Sequence, residues 1–135
     1  MDVMKNRSPW TIAPLFVVED VVASANFYRD TLGFSYDQFF GDPPAFCMVK
    51  RGGIIIMLSQ LPGKSVARPN RLDDRGGEAW DAYVWVDDAD ALHQEFKQKG
   101  AKIAGGLCDK PYLMREFDVE DLSGYRICFG HDISE

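Results

Sequence analysis

The chain has 135 residues, of which 46% are hydrophobic, 27% charged and 13% aromatic, a composition that suits a globular domain and excludes a disordered tail or a disulfide-stabilised miniprotein. The net charge of −6 disfavours nucleic acid as a partner, because duplex binding relies on many cationic contacts to phosphate. No apolar run approaches the roughly 20 residues that span a bilayer, and the three cysteines form no CxxC pair, so we expect a cytoplasmic protein without membrane association.

The first half of the chain predicts a strand followed by an amphipathic helix. Alternation over residues 12–18 is typical of a strand. Asp20 can cap the helix that follows, and Gly33 can end it in the left-handed conformation. The apolar residues at helical spacing between them are Val21, Ala25, Tyr28 and Leu32. Three β-rich runs come next, at residues 34–40, 46–50 and 54–59.

The second half repeats this order. Residues 82–86 predict a strand, and residues 87–100 predict a capped helix that matches the first, with thirteen residues from aspartate to glycine in both halves. Further β-rich runs occupy residues 102–104, 113–119 and 125–129. The glycine pairs fit no phosphate-binding spacing and are interpreted as turns, at residues 52–53, 76–77 and 105–106.

Each half therefore has the order βαβββ. Residues 62–79, rich in Gly, Pro, Arg and Asp, are typical of a linker. We expect one domain over residues 1–135, with a first module at about 10–61 and a second at about 80–130. Two tandem modules commonly create a cleft that binds a ligand.

Strand alternation indicates which side chains face that cleft. One face of the strand at 82–86 is aliphatic, with Ala82, Val84 and Val86. The other face is aromatic and charged, with Asp81, Tyr83 and Trp85. We expect the aliphatic face to lie under the helices and the aromatic face to line the cleft.

Four motifs carry a resemblance to a known family. They are LFVVED at 15–20, FYRDTLGF at 27–34, YVWVDD at 83–88, and MREF at 114–117 with Asp121 and Gly124 beyond it. Together they resemble the glyoxalase/bleomycin-resistance/extradiol-dioxygenase (vicinal oxygen chelate) superfamily. The resemblance implies an α+β fold in which two tandem βαβββ modules form a cupped mixed sheet around a cleft, often in a homodimer.

The resemblance also implies where a metal ion would be held. In catalytic relatives, His, Glu or Gln side chains bind a divalent ion from four strand positions, which correspond here to Ala13, Met57, Asp81 and Cys128. Methyl and thioether groups do not hold a hard or borderline divalent ion, so only Asp81 and Cys128 remain. We therefore predict no metal site and no cofactor.

The leading hypothesis is a metal-free, bleomycin-resistance-like protein that sequesters a small molecule in an aromatic cleft. The residues predicted to contact the ligand are Phe40, Phe46, Met57, Asp81, Tyr83, Trp85, Tyr112 and Arg115. Arg115 and its neighbour Glu116 have opposite strand parity, and we favour Arg115 as the residue that faces the cleft. The alternative is a glyoxalase-like lyase or isomerase, or a dioxygenase, with an atypical metal site or with Asp81 as general base. A dimerising or regulatory module is a third hypothesis, so whether the chain is an enzyme stays open.

Overall fold

The computed structural model describes residues 10–61, 66–72 and 79–135. The first-module elements are β1 (Leu15–Val17), α1 (Val21–Asp30), β2 (Phe39–Phe40), β3 (Phe46–Arg51) and β4 (Ile54–Ser59). A 3₁₀ turn at Asn70–Leu72 follows. The second-module elements are β5 (Ala82–Trp85), α2 (Ala89–Gln98), β6 (Lys102–Asp109), β7 (Met114–Glu120) and β8 (Arg126–Asp132). Neither helix in the described part of the chain is long and apolar enough to cross a membrane.

The two modules have the same topology. The first sheet has the strand order β1-β4-β3-β2 and the second has β5-β8-β7-β6. In each sheet the first strand pairs in parallel with the last strand of its module, and the remaining pairs are antiparallel. The predicted α+β fold with two tandem βαβββ modules and mixed sheets is confirmed.

Both helices begin and end at the residues that the sequence indicates. The Asp20 carboxylate accepts a hydrogen bond from the Ala23 backbone N–H, and the Asp88 carboxylate accepts one from the Ala91 N–H, each at 3.0 Å. These bonds satisfy amide groups that have no partner within the helix. After α1, Gly33 has a φ of +75°, a conformation that glycine adopts without the steric cost of a Cβ atom.

One of the expected β segments is much shorter in the structure. Over residues 34–40 only Phe39–Phe40 forms a strand, with one isolated bridge from Ser35 to Lys50. The Tyr36 hydroxyl in this segment donates to Asn26 of α1, so the chain is held against the helix rather than extended along β3.

The glycine pair at 105–106 lies inside β6 and is not a turn. The pairing of β6 with β7 shifts register on both sides of Gly105, which is the mark of a β-bulge. A Cβ atom on Gly105 would lie only 3.0 Å from a carboxylate oxygen of Asp118. The Asp118 side chain therefore lies close to the space that a Cβ atom of residue 105 would take. The pair at 76–77 lies outside the described residues.

The modules pack together through the helix-bearing sides of their sheets. The ring of Phe16 in β1 stacks on Tyr125 with centroids 4.3 Å apart, and the Tyr125 hydroxyl donates to the Val17 carbonyl at 2.6 Å. The buried hydroxyl of Tyr28 in α1 donates to a carboxylate oxygen of Asp121 in the second module at 2.7 Å. Apolar stacking and buried hydrogen bonds therefore connect the two halves.

The opposite sides of the two sheets, which we call the open faces, are exposed. Trp85 on the second open face is 71% exposed, and Leu15 on the first is 54% exposed. No strand of the first sheet pairs with a strand of the second over the described ranges. Each open face is therefore a separate apolar surface.

Candidate functional site

The second open face carries an aromatic cavity. On β5, Ala82 and Val84 pack against the core, while Tyr83 and Trp85 point the other way, as strand parity predicts. A cavity of about 520 Å³ forms above them. Its lining residues are Trp80, Tyr83, Trp85, Tyr112, Leu113, Met114, Asp132 and Ser134. The cavity wall therefore holds four aromatic rings and one carboxylate.

Glu116 of β7 lies behind two of these rings. Its side chain is buried, at 2% exposure, and each oxygen accepts a tyrosine hydroxyl: Oε2 from Tyr83 at 2.7 Å and Oε1 from Tyr112 at 2.6 Å. Burial and the bond to Glu116 raise the pKa of Tyr83 above its ordinary value, so the phenol keeps its proton and remains a donor. The carboxylate thus sets the positions of both phenol rings.

Tyr83 reaches Glu116 by crossing strand β8 at a glycine. Gly130 pairs with Trp85 on one side and with Glu116 on the other. A Cβ atom there would collide with the Tyr83 hydroxyl and would lie 3.0 Å from Cζ of Tyr83 and 3.1 Å from Cβ of Glu116. Gly130 therefore makes room for the phenol to lie across the sheet.

Asp81 has a structural role. One oxygen accepts the Asn70 backbone N–H at 2.7 Å, and the other accepts the Arg126 N–H at 2.8 Å. The carboxylate thereby holds the start of β5 to the 3₁₀ turn and to β8. Both oxygens already have donors, and Asp81 is not among the residues that line the aromatic cavity.

Cys128 is a buried thiol. Burial, together with the nearby carboxylates of Asp118 and Glu116, raises its pKa well above the ordinary value. A thiol is a poor ligand and a poor nucleophile until it loses its proton. Both of these carboxylates belong to β7.

The positions that resemble a metal site do not suit a metal ion. Ala13 and Met57 supply no hard donor atom, the oxygens of Asp81 accept two backbone N–H groups, and the Cys128 thiol is held in its protonated form. A stable divalent site takes at least three protein ligands. The donor set of this chain therefore supports no metal-dependent step at these positions.

Two aspartates and a histidine lie close together at the start of α2. Ligand atoms of Asp88, Asp90 and His131 lie within 4.8 Å of one another. Asp88 caps the helix, Asp90 accepts from Arg115, and Nδ1 of His131 accepts the Ala89 N–H. Each of the three side chains already makes a hydrogen bond within the protein.

Arg115 does not face the cavity, contrary to the preference drawn from the sequence. Its guanidinium binds Asp109 at 2.6 Å and Asp90 of α2 at 3.2 Å, so it lies on the helix side of β7. Glu116 is the residue of the pair that shares a face with Tyr83. Parity could have indicated this, since Arg115 alternates in phase with Phe117, which is 1% exposed.

The remaining predicted residues lie on the first open face. The rings of Phe40 and Phe46 lie 6.1 Å apart, and Met57 of β4 pairs with Leu15 and Met48 on the neighbouring strands. The structure therefore brings Tyr83, Trp85 and Tyr112 together. It places Phe40, Phe46 and Met57 on the other sheet, and gives Asp81 and Arg115 bonds away from the cavity.

A second cavity, of about 440 Å³, lies between the modules beside the Gly52–Gly53 turn and α2. Its polar wall is the ion pair of Arg51 with Glu95, in which two nitrogens meet two oxygens at 2.7 and 2.9 Å. The Arg51 guanidinium also donates to the Leu32 carbonyl. This ion pair therefore connects the two modules at the cavity wall.

A family model matches almost the whole described fold. The model of the Glyoxalase/Bleomycin resistance protein/Dioxygenase superfamily matches residues 11–129. The chain belongs to this superfamily. No curated protein matches the sequence significantly. The members of the superfamily bind and transform different molecules, so membership establishes the scaffold and leaves the chemistry to the site.

Solved structures of 182 chains resemble this superfamily member. TioX from Micromonospora sp. ML1 has a TM-score of 0.70 at 21% identity, with 92% of this chain and 99% of TioX covered. A second similar structure is the bleomycin-binding protein of bleomycin-producing Streptomyces verticillus in complex with copper(II)-bleomycin. Its TM-score is 0.63 at 27% identity, with 96% of this chain and 99% of that protein covered. Lactoylglutathione lyase from Agrobacterium tumefaciens has a TM-score of 0.65 at 20% identity, with 93% of this chain and 96% of the lyase covered. Both a binding protein and an enzyme share the fold.

Proposed function

We propose that this chain binds a small molecule non-covalently in the aromatic cavity of the second open face, without a metal ion and without turnover. The observation that carries the proposal is the cavity itself, about 520 Å³ with the rings of Trp80, Tyr83, Trp85 and Tyr112 in its wall. A stacked ring contributes roughly 1 kcal/mol beyond simple burial. The similarity to a bleomycin-binding protein agrees with this function.

The enzymatic alternative has less support. A general base needs a free oxygen within reach of the substrate proton. Both oxygens of Asp81 accept backbone N–H groups. The two oxygens of Glu116 accept tyrosine hydroxyls. General-base chemistry at Asp81 or Glu116 would therefore require that carboxylate to give up a present donor.

We further propose that the protein acts as a homodimer in the cytoplasm. Phe40 on the first open face is 45% exposed, and Tyr112 and Trp85 on the second are 53% and 71% exposed. Contiguous exposed apolar patches of this kind mark interfaces. If the first open face of one copy covered the second open face of its partner, a two-fold axis would close two equal clefts. The three cysteines are free thiols, which suits a reducing compartment.

The test is a binding titration followed by calorimetry, with copper(II)-bleomycin and metal-free bleomycin as first ligands. We expect both ligands to bind saturably and to be recovered chemically intact. A chelator should leave the binding of metal-free bleomycin unchanged. Trp85→Ala should weaken binding about tenfold, since it removes one stacking ring. Leu122→Ala, which shortens a side chain that is 59% exposed in a distant turn, is the control. Consumption of the ligand, or binding that disappears with chelator, would refute the proposal.

A further inference from the structure

We propose that the ligand of the second-module cavity is an aromatic cation, with an ammonium centre attached to or beside a flat ring. This inference rests on the proposed function and names its ligand class. The ring faces would hold both the flat ring and the cation, and nearby carboxylates would complement the positive charge.

Neighbouring aromatic rings of the cavity pack edge to face. Trp80 and Tyr83 have centroids 5.2 Å apart with an interplanar angle of 64°, and Tyr83 and Trp85 have centroids 5.8 Å apart at 60°. Rings inclined in this way do not share a plane, and all three line the same cavity. Several electron-rich faces around a cation are the arrangement that recognises ammonium groups.

The two phenols of the cavity are also hydrogen-bonded to a negative charge. Tyr83 and Tyr112 both donate to Glu116. Both oxygens of Glu116 act as acceptors, which is the hydrogen-bonding pattern of an ionised carboxylate. Donation to an anion pushes electron density into a phenol ring, and the ring face then attracts a cation more strongly.

A second carboxylate lies in the cavity wall. Asp132 lines the cavity directly, and its Oδ1 accepts the Ser134 backbone N–H at 2.7 Å. The hydrogen bonds from Ser134 hold the pKa of Asp132 below its ordinary value, so this carboxylate is charged at neutral pH. A cation among the rings would therefore lie near two carboxylates. Asp132 belongs to the cavity wall, and Glu116 accepts the hydroxyl of the wall residue Tyr83.

The cationic side chains of the second sheet are committed elsewhere. None of the residues that line the cavity in the described ranges is Lys or Arg. Arg115 binds Asp109 and Asp90 on the helix side. Lys102 and Arg126 both bind Glu120 at the other end of β7. No cationic side chain therefore stands in the described wall of the cavity, and Lys110 lines a separate small cavity with Glu116.

The experiment compares two probes of equal shape, (4-hydroxyphenyl)trimethylammonium and 4-tert-butylphenol, which differ in charge because nitrogen replaces carbon. Dissociation constants are measured by ligand-observed NMR titration on the full chain. We expect the cation to bind at least tenfold more tightly than its neutral counterpart. Equal affinities would overturn the inference while leaving the proposed aromatic binding function in place. Failure of both probes to bind at millimolar concentration would overturn the inference too, and the bleomycin titration then decides the proposed function separately.

Variants identify the source of the preference. Asp132→Asn and Glu116→Gln should each reduce the ratio of the cation's affinity to the neutral probe's affinity several-fold, mainly by weakening the binding of the cation. Asp132→Asn changes an exposed residue, so this test does not depend on whether Glu116→Gln folds. Asp37→Asn removes the same charge from an 85% exposed side chain of the first module and should leave the ratio unchanged. An equal change in the ratio for Asp37→Asn and Asp132→Asn would show that net charge alone is responsible, which would overturn the inference.

Discussion

Replacing Gly130 with alanine tests the crossing of Tyr83 over β8. The new methyl group would collide with the Tyr83 hydroxyl, and it would lie 3.0 Å from Cζ of that ring and 3.1 Å from Cβ of Glu116. Neither neighbour is the free end of a flexible chain, because Glu116 is 2% exposed and Tyr83 is bonded to it. The ring must therefore move away and give up its hydrogen bond.

The expected cost of Gly130→Ala follows from two contributions. Overpacking costs about 1–3 kcal/mol, and loss of a hydrogen bond to a charged group costs about 1.5–3 kcal/mol. Because moving the ring relieves part of the overpacking, we expect the free energy of unfolding in urea to fall by about 3 kcal/mol. The matched control is Gly106→Ala in the same sheet, where an added Cβ meets nothing within 4 Å.

A double-mutant cycle separates the clash from the lost hydrogen bond. Tyr83→Phe removes the hydroxyl that the new methyl group would strike, so Gly130→Ala should cost less when it is combined with Tyr83→Phe than in the wild type. We expect a coupling of at least about 1 kcal/mol between the two positions. Strictly additive losses, or a Gly130→Ala variant as stable as Gly106→Ala, would show that Gly130 is not needed to make room for the Tyr83 phenol.

Three further changes address the contacts between and within modules. Burial raises the pKa of Asp121 to about 6 from an ordinary 3.8, so its contribution to stability is present below pH 3.8 and is lost as the pH rises through 6. The free energy of unfolding of the wild type relative to Asp121→Asn should therefore fall by about 2 kcal/mol between pH 4 and pH 7, and parallel pH profiles in urea denaturation would contradict this. Arg51→Met removes a partly exposed ion pair to Glu95 and should cost about 1 kcal/mol, less at high salt. Asp88→Ala removes the cap of α2 and should also cost about 1 kcal/mol by thermal or urea unfolding.

The helices and most strands could be predicted because their signals are local. A stripe such as Val21, Ala25 and Tyr28, all fully buried, depends only on residues within the same helix. The segment at 34–40 and the glycines at 105–106 depend on neighbours far along the chain. Tyr36 is held by α1, and Gly105 is set by its approach to Asp118 on β7. Local propensity carries no information about such neighbours.

The same distinction applies to the site. Tyr83 and Trp85 could be placed on the open face because they alternate with aliphatic residues in one strand. Glu116 becomes part of the site only through the register that sets it opposite Gly130 and within reach of Tyr83. This pairing joins three strands, and nothing in the local pattern around residue 116 indicates it. Parity with the buried Phe117 places Glu116 on the open face, but only the register brings it within reach of Tyr83.

The energetics of Glu116 give a reason to connect it with the ligand. Moving a carboxylate out of water costs several kcal/mol, and hydrogen bonds offset that cost only when their geometry is good. The two tyrosine hydroxyls at 2.7 and 2.6 Å provide such an offset. Replacement of buried ionic groups by apolar side chains of similar volume is often neutral or stabilising. Folding alone therefore does not account for a carboxylate at this point. A negative charge beneath two phenol rings does account for it if the cavity above receives a positive charge, because the attraction appears only when the cation is bound.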